Sequence, residues 1–286
     1  MGETYYEFIE VRPNVYRINS PENVFMDLFV GKEKALLFDT GYGYDDLTAA
    51  IREKTDLPLI VVNSHGHPDH ACGNFRFAGD IYIHEKDMDS CKWFNNVESR
   101  TGAVEDAKQM EDYATKEHRS ILPKNFDAEY YINQGAGNLI PVKEGDVFSL
   151  GGITLEVLEF PGHTMGSIGL YYKEEKLLYF GDAINSFLWL FLPGGGTLET
   201  YRDSLDKARK MDFEGFFCGH SPAEGTSQTL DEFIECAENL DFESGIPYDV
   251  PIAKIYPAKV CPRKGYGPFD FDRPGFCAIV IGKDQL

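Results

Sequence analysis

Six consecutive residues, His65-Gly66-His67-Pro68-Asp69-His70, carry three imidazoles and a carboxylate, and they directly follow the apolar run Leu59-Ile60-Val61-Val62. A run of that composition reads as a buried strand, and the polar loop leaving it belongs at a strand end, where ligands are presented. Zinc and similar metals bind imidazole nitrogen and carboxylate oxygen. In an extended loop residues 65 and 67 can converge on one ion. Asp69 and His70 follow Pro68, which bends the path and makes a second ion beside the first geometrically reasonable. A lone histidine would carry little weight; three histidines and an aspartate in six residues point to a metal site.

The chain has seven histidines, and two more of them sit in the same kind of setting. Pro161-Gly162-His163 follows the apolar run before it and enters a Gly-Pro turn, so His163 would complete a three-histidine set. Gly219-His220 follows Phe216-Phe217-Cys218. Between them, Tyr179-Phe180-Gly181-Asp182 ends in a carboxylate able to bridge two cations, although an Asp after Gly is by itself usually a turn former.

The rest of the chain reads as strands and helices in two similar halves. Strands are expected at 15–18, 24–30 and 34–38 as an antiparallel meander, followed by a helix at 44–54 and a strand at 59–63. After a short strand at 81–83, residues 86–122 are expected to form one or two helices covering part of the site. Strands then follow near 153–160, 168–173, 177–180, 215–218, 252–257 and 276–281, with helices near 198–211 and 226–240. This pattern suggests a sheet-on-sheet core flanked by helices. At 286 residues, one elaborated domain can bury such a core.

Charge and cysteine usage narrow the class. With 27 basic against 47 acidic residues the formal charge is −20, a field that repels polyanions and argues against nucleic acid as partner. The first residues lack a secretory n-region and h-region, and Phe187-Leu-Trp-Leu-Phe-Leu192 is far shorter than the ~20 residues of a spanning helix. A soluble cytoplasmic protein with no membrane partner is therefore expected. Six scattered cysteines without a CxxC pair suit reduced packing thiols. Homo-oligomerisation is left open.

Taken in order, HxHxDH at 65–70, PGHTxGS at 161–167, FGD at 180–182 and GH at 219–220 resemble the metallo-β-lactamase fold superfamily. The resemblance runs over nearly the whole chain, from the Asp39-Thr40-Gly41 turn to His220. It implies an α+β fold, a four-layer αβ/βα sandwich of two mixed β-sheets packed face to face with helices outside, as a single domain over 1–286. It implies that His65, His67 and His163 hold one divalent metal ion, that Asp69, His70 and His220 hold the other, and that Asp182 bridges them. By the same resemblance Asp39 orients the loop from behind. Zinc is the expected metal, with iron or manganese as alternatives.

The mechanism so implied is attack by a hydroxide bridging two cations ~3.5–4 Å apart, with Asp69 contacting that hydroxide or passing a proton to the leaving group. Asp at position 182 departs from zinc β-lactamases, which place Cys or Ser there, and is similar to the glyoxalase II, lactonase and RNase Z branches. The expected function is hydrolysis of a small ester, thioester or lactone. The alternatives are an iron-dependent oxidoreductase of the persulfide dioxygenase type, a phosphodiesterase or β-lactamase, and a binding protein that retains the scaffold without activity. Two segments have two readings each. Residues 187–192 line an apolar cleft or form a core strand, with Pro193-Gly-Gly-Gly196 as a loop hinge or as the lead into the next helix. Residues 254–271, rich in Lys, Arg and aromatics, dock an anionic group or form a solvated edge.

Overall fold

The computed structural model describes residues 4–111 and 117–286. The chain divides into two compact units, residues 1–142 with 148–154, and residues 143–147 with 155–286.

In the first unit, β1 (Glu7–Arg12), β2 (Val15–Asn19), β3 (Phe25–Val30) and β4 (Ala35–Phe38) form the expected antiparallel meander. Helix α1 (Leu47–Arg52) then returns the chain so that β5 (Leu59–Val62) lies parallel to β4. The Asp46 side chain accepts from the Ala49 amide and caps α1. Leu47 and Ile51, one turn apart, bury that helix against a cluster holding Leu37, Val61 and Ile81. Next come α2 (Pro68–Ala71), β6 (Asp80–His84), α3 (Met88–Phe94) and α4 (Val97–Ala107). The short antiparallel pair β7 (Met110–Glu111) and β8 (His118–Arg119) follows, then α5 (Ala128–Ile132) and β9 (Asn138–Val142). The resulting seven-stranded mixed sheet runs β1-β2-β3-β4-β5-β6-β9.

The helices expected over 86–122 are found only as far as Ala107, beyond which the chain pairs as β7 and β8; residues 112–116 lie outside the described residues. A buried cation organises this segment. The Arg100 guanidinium lies over the Phe75 and Tyr131 rings and donates to the Cys72 carbonyl at 2.8 Å.

Strand β10 (Val147–Ser149) follows β9, and most of the remaining chain belongs to the second unit. There β11 (Thr154–Glu159), β12 (Ile168–Tyr172) and β13 (Leu177–Tyr179) run antiparallel, and β15 (Gly215–Phe217) adds parallel to β13. A second sheet joins β14 (Phe187–Leu190), β18 (Ala278–Gly282), β17 (Ala258–Pro262) and β16 (Ile246–Pro247), in that order. Helices α6 (Leu198–Arg209) and α7 (Ser227–Glu238) carry apolar stripes, Leu198, Tyr201, Leu205 and Ala208 on one and Leu230, Phe233, Ile234 and Ala237 on the other. These pack with Phe160, Phe180, Phe216 and Ile279 in the unit's main core. Mixed sheets with helices make the fold α+β.

A second stretch differs from expectation. Residues 252–257 are not a strand; α8 (Pro251–Ile255) occupies that stretch and β17 begins at Ala258. Pro251 has no amide for a ladder but suits the first helical turn, and Pro257 stops the helix.

Candidate metal centre

Strands β4 and β5 end in register, Phe38 opposite Val62, so the residues just beyond them leave the sheet side by side. Asp39 adopts a left-handed φ of 69°, a conformation Asp tolerates better than most residues. Its Oδ1 accepts from the Ser64 amide at 2.7 Å, and its Oδ2 accepts from the Ser64 hydroxyl at 2.7 Å. The same Oδ2 lies 2.8 Å from His70 Nδ1. A carboxylate only accepts, so His70 carries its proton on Nδ1 and keeps the Nε2 lone pair. Ser64 has one hydroxyl hydrogen, committed to Asp39, so its Oγ accepts from His65 Nδ1 at 2.9 Å. One buried carboxylate thus sets the tautomer of His70 directly and of His65 through Ser64, the relation that makes imidazoles good metal ligands.

The backbone of this loop is held as firmly as its side chains. The His70 carbonyl accepts from the Thr40 amide at 2.9 Å, the Thr40 hydroxyl at 3.1 Å and Asn63 Nδ2 at 3.1 Å. The Gly66 amide donates to Asp87 Oδ2 at 2.8 Å. A Cβ at Gly66 would lie 2.3 Å from Ser90 Oγ and 2.7 Å from the Asp87 carbonyl oxygen, so only glycine fits against the start of α3. The His67 ring stands edge-on to His65 at 4.7 Å and to Phe94 at 5.4 Å. The His65 and His70 rings are 4.3 Å apart, and Asp69 Oδ2 is 3.6 Å from His70 Nε2. The first unit therefore brings His65, His67, Asp69 and His70 together, with the start of α3 packed against Gly66.

In the second unit His163 lies in the turn between β11 and β12. Its Nδ1 donates to the Trp189 carbonyl at 2.9 Å, which again leaves Nε2 as the lone-pair nitrogen. The Met165 amide donates to the Gly194 carbonyl at 2.9 Å and the Gly196 amide to the Gly162 carbonyl at 2.7 Å. The Pro193-Gly-Gly-Gly196 stretch is thus fastened to the His163 turn and leads into α6, which Thr197 caps. Strands β13 and β15 are parallel with Tyr179 opposite Phe217. Asp182 and His220 follow at equal distance, and the Gly219 amide donates to the Gly181 carbonyl at 2.6 Å. Asp182 Oδ2 lies 3.0 Å from His220 Nε2 and 3.9 Å from His163 Nε2, while Asn185 Nδ2 donates to Asp182 Oδ1 at 3.3 Å.

Each unit therefore assembles its share of the expected residues: His65, His67, Asp69 and His70 in the first, His163, Asp182 and His220 in the second. All seven are among the residues able to hold a metal ion. Imidazoles anchored through Nδ1 beside carboxylates, with no thiolate, fit a borderline divalent cation. Sequence reasoning missed Ser64, Asp87, Asn185 and the Trp189 carbonyl. Only Ser64, adjacent to the motif, carried a hint; a backbone oxygen carries none.

The two open segments resolve as follows. Residues 187–190 are strand β14, paired to β18, with Leu188 and Leu190 buried and Phe187 and Trp189 half-buried. In the basic stretch, Lys259 donates to the Phe242 carbonyl at 3.0 Å, and Arg263 pairs with Glu235 at 2.6 Å and Glu232 at 3.4 Å. Those cations are engaged within the fold. The six cysteines are free and buried, and burial pushes the Cys72 and Cys91 thiols up to about 12. No helix of the described residues is long and apolar enough to cross a membrane.

A family model described as the metallo-beta-lactamase superfamily matches residues 21–220. Acyl-coenzyme A thioesterase MBLAC2 of Homo sapiens is 26% identical over 186 residues, 61% of this chain and 62% of that protein. Hydroxyacylglutathione hydrolase of Hyphomonas neptunium is 26% identical over 159 residues, 55% of this chain and 46% of that protein. The matches thus span about half to three fifths of these relatives' lengths. Among solved structures, the sec-alkylsulfatase Pisa1 from Pseudomonas sp. has a TM-score of 0.60 at 15% identity, covering 82% of this chain and 42% of that one. An archaeal metallo-beta-lactamase superfamily protein from Sulfolobus tokodaii has a TM-score of 0.56 at 16% identity, covering 85% and 93%. At these identities the structures speak to the fold alone.

Proposed function

The chain belongs to the metallo-beta-lactamase superfamily, and from that premise we propose that it is a metal-dependent hydrolase of a small acyl thioester. The observation that supports this most directly is the anchoring of three imidazoles through Nδ1, His70 by Asp39, His65 by Ser64 and His163 by the Trp189 carbonyl. That anchoring leaves each Nε2 with a lone pair free to ligate a metal. In this reading the chain holds a pair of divalent cations. His65, His67 and His163 would hold one, Asp69, His70 and His220 would hold the other, and Asp182 would serve both. Zinc suits the donors best; iron and manganese accept the same set.

When bound, such a pair lowers the pKa of water toward ~7 and polarises a scissile carbonyl. The chain's own residues supply the rest. Asp39 and Ser64 fix the tautomers of His70 and His65 and aim their rings. Asn185 holds one oxygen of Asp182 so that the other faces His220 and His163. Asp69, on the first turn of α2 and partly open to solvent, contacts the attacking water or passes its proton to the leaving group. A single carboxylate in that role suits a thiol leaving group, whose pKa near ~8.5 demands little protonation, better than an alkoxide.

The substrate class is supported by the two relatives named for acyl-coenzyme A and hydroxyacylglutathione. The charge of −20 disfavours nucleic acid. Six buried free thiols suit a reducing compartment, and we place the protein in the cytoplasm. The test is metal quantitation on the purified protein, followed by thioester, lactone, β-lactam and phosphodiester substrates. We expect two metal equivalents and fastest turnover of the thioester. A folded, loaded protein inert toward all four sinks the reading, and oxygen consumption with a persulfide reassigns it to an oxidoreductase.

A further inference from the structure

The second unit builds an aromatic face, partly from residues beyond 220 where the family match ends, that the chemistry above does not use. Phe187 and Trp189 alternate with the buried Leu188 and Leu190 on β14 and stay half-buried on the opposite side. Rings connect outward from them without a break. Trp189 meets Tyr248 at 5.7 Å, Tyr248 meets Phe187 at 5.9 Å, Phe187 meets Phe271 at 5.2 Å, and Phe271 meets Phe269 at 6.1 Å.

The outer two rings are presented by a loop that closes on itself. Arg273 Nη1 donates to the Gly265 carbonyl at 2.7 Å, the Tyr266 hydroxyl to the Pro274 carbonyl at 2.9 Å, and the Gly267 amide to Asp270 Oδ2 at 2.8 Å. Gly265 and Gly275, at φ of 87° and 77°, make its two corners. This polar framework holds the loop while Phe269 and Phe271 remain 49% and 53% exposed. Two neighbouring phenyl rings half in water are an incomplete burial that an apolar ligand would finish. The inner end of the same face is Trp189, whose carbonyl holds His163. The strand that carries these rings therefore also fixes, within one unit, a residue of the candidate metal set.

We propose that the face formed by Phe187, Trp189, Tyr248, Phe269 and Phe271 binds the straight apolar acyl chain of the substrate and sets a preference for longer chains. This rests on the thioester hydrolase reading above. An acyl group whose carbonyl lies at the His163 end runs its methylenes outward along the rings. Each methylene buried is worth about 0.8 kcal/mol, roughly three- to fourfold in kcat/KM, until the face is covered.

The experiment is a series of saturated acyl thioesters, acetyl to decanoyl, assayed on the metal-loaded protein and on the F269S/F271S variant. The expected result is a kcat/KM that climbs with chain length in the unsubstituted protein and a flattened slope in the variant. Phe271→Leu, which retains apolar area, keeps the slope. A flat series in the unsubstituted protein, or an equal slope in the double variant, overturns the proposal. Should no thioester be turned over, the hydrolase reading fails separately, and binding still decides the face. In a W93F background Trp189 is the one remaining tryptophan of two. Its fluorescence is then titrated with S-ethyl and S-decyl coenzyme A thioethers: tighter binding of the decyl compound supports the face and equal binding overturns it.

Discussion

Asp182 and His220 occupy matching positions on neighbouring parallel strands: each lies three residues beyond the register pair Tyr179 and Phe217, and Asp182 Oδ2 is 3.0 Å from His220 Nε2. Neither residue belongs to a dense motif, yet equal offsets from a parallel pair bring them together. A second parallel pair, Phe38 opposite Val62, places Asp39, one residue on, beside Ser64, two residues on. Parallel strand ends position candidate residues in each unit.

Replacing Asp182 by Ala is expected to halve metal stoichiometry and lower kcat/KM by more than the 10–100-fold typical of supporting residues. Metal analysis of the purified variant checks this. Two full equivalents in the variant would remove Asp182 from the bridging role.

His67→Ala is expected to lower metal content and abolish hydrolysis together, because His67 supports no core of its own and its ring stands edge-on to His65. Unchanged turnover would show that the first ion's ligands are not catalytic.

Asp39→Asn keeps the left-handed backbone, which Asn tolerates, but replaces a pure acceptor by a group carrying its own donors toward Ser64 and His70. The expected loss of metal affinity is about 10–100-fold. Competition with a chelator reads it out, and an unchanged affinity would show that the carboxylate only shapes the turn.

Gly66→Ala places a methyl 2.3 Å from Ser90 Oγ and 2.7 Å from the Asp87 carbonyl. Destabilisation of about 1–3 kcal/mol is expected from overpacking. Because the clash includes backbone, adding Ser90→Ala should restore little of the loss. Full recovery of the melting temperature in the double variant would contradict the geometry.

Thiol reactivity should track folding. Burial raises Cys72 and Cys91 to about 12, so at pH 8 the folded thiolate fraction is on the order of one in ten thousand, rising only as pH approaches that value. Unfolding returns the thiols to the ordinary range near ~8.5. Alkylation at pH 8 should therefore be slow in buffer and reach all six cysteines in denaturant; rapid labelling of the native protein at Cys72 or Cys91 would refute the burial argument.

Where local chemistry decides, the elements were legible in advance. The meander, the strand before the hexapeptide and helices α6 and α7 follow from period-two and period-3.6 apolar patterns, which neighbours only confirm. Residues 252–257 were misjudged because an apolar stretch of that length satisfies either period, and the flanking prolines decided for the helix. Strands β9 and β16 carried little pattern, being largely exposed and completed by pairing with partners distant in sequence.

The amino-acid order alone determined the donor inventory, since five imidazoles and two carboxylates at strand ends are a matter of residue type and turn chemistry. Which nitrogen of each ring donates was decided only by tertiary structure. It depends on Asp39 reaching Ser64 and His70 across a parallel strand pair, and on a backbone oxygen at Trp189 meeting His163. A backbone carbonyl is the same in every residue, so its position, and with it the orientation of the ligand it holds, exists only once the chain has folded.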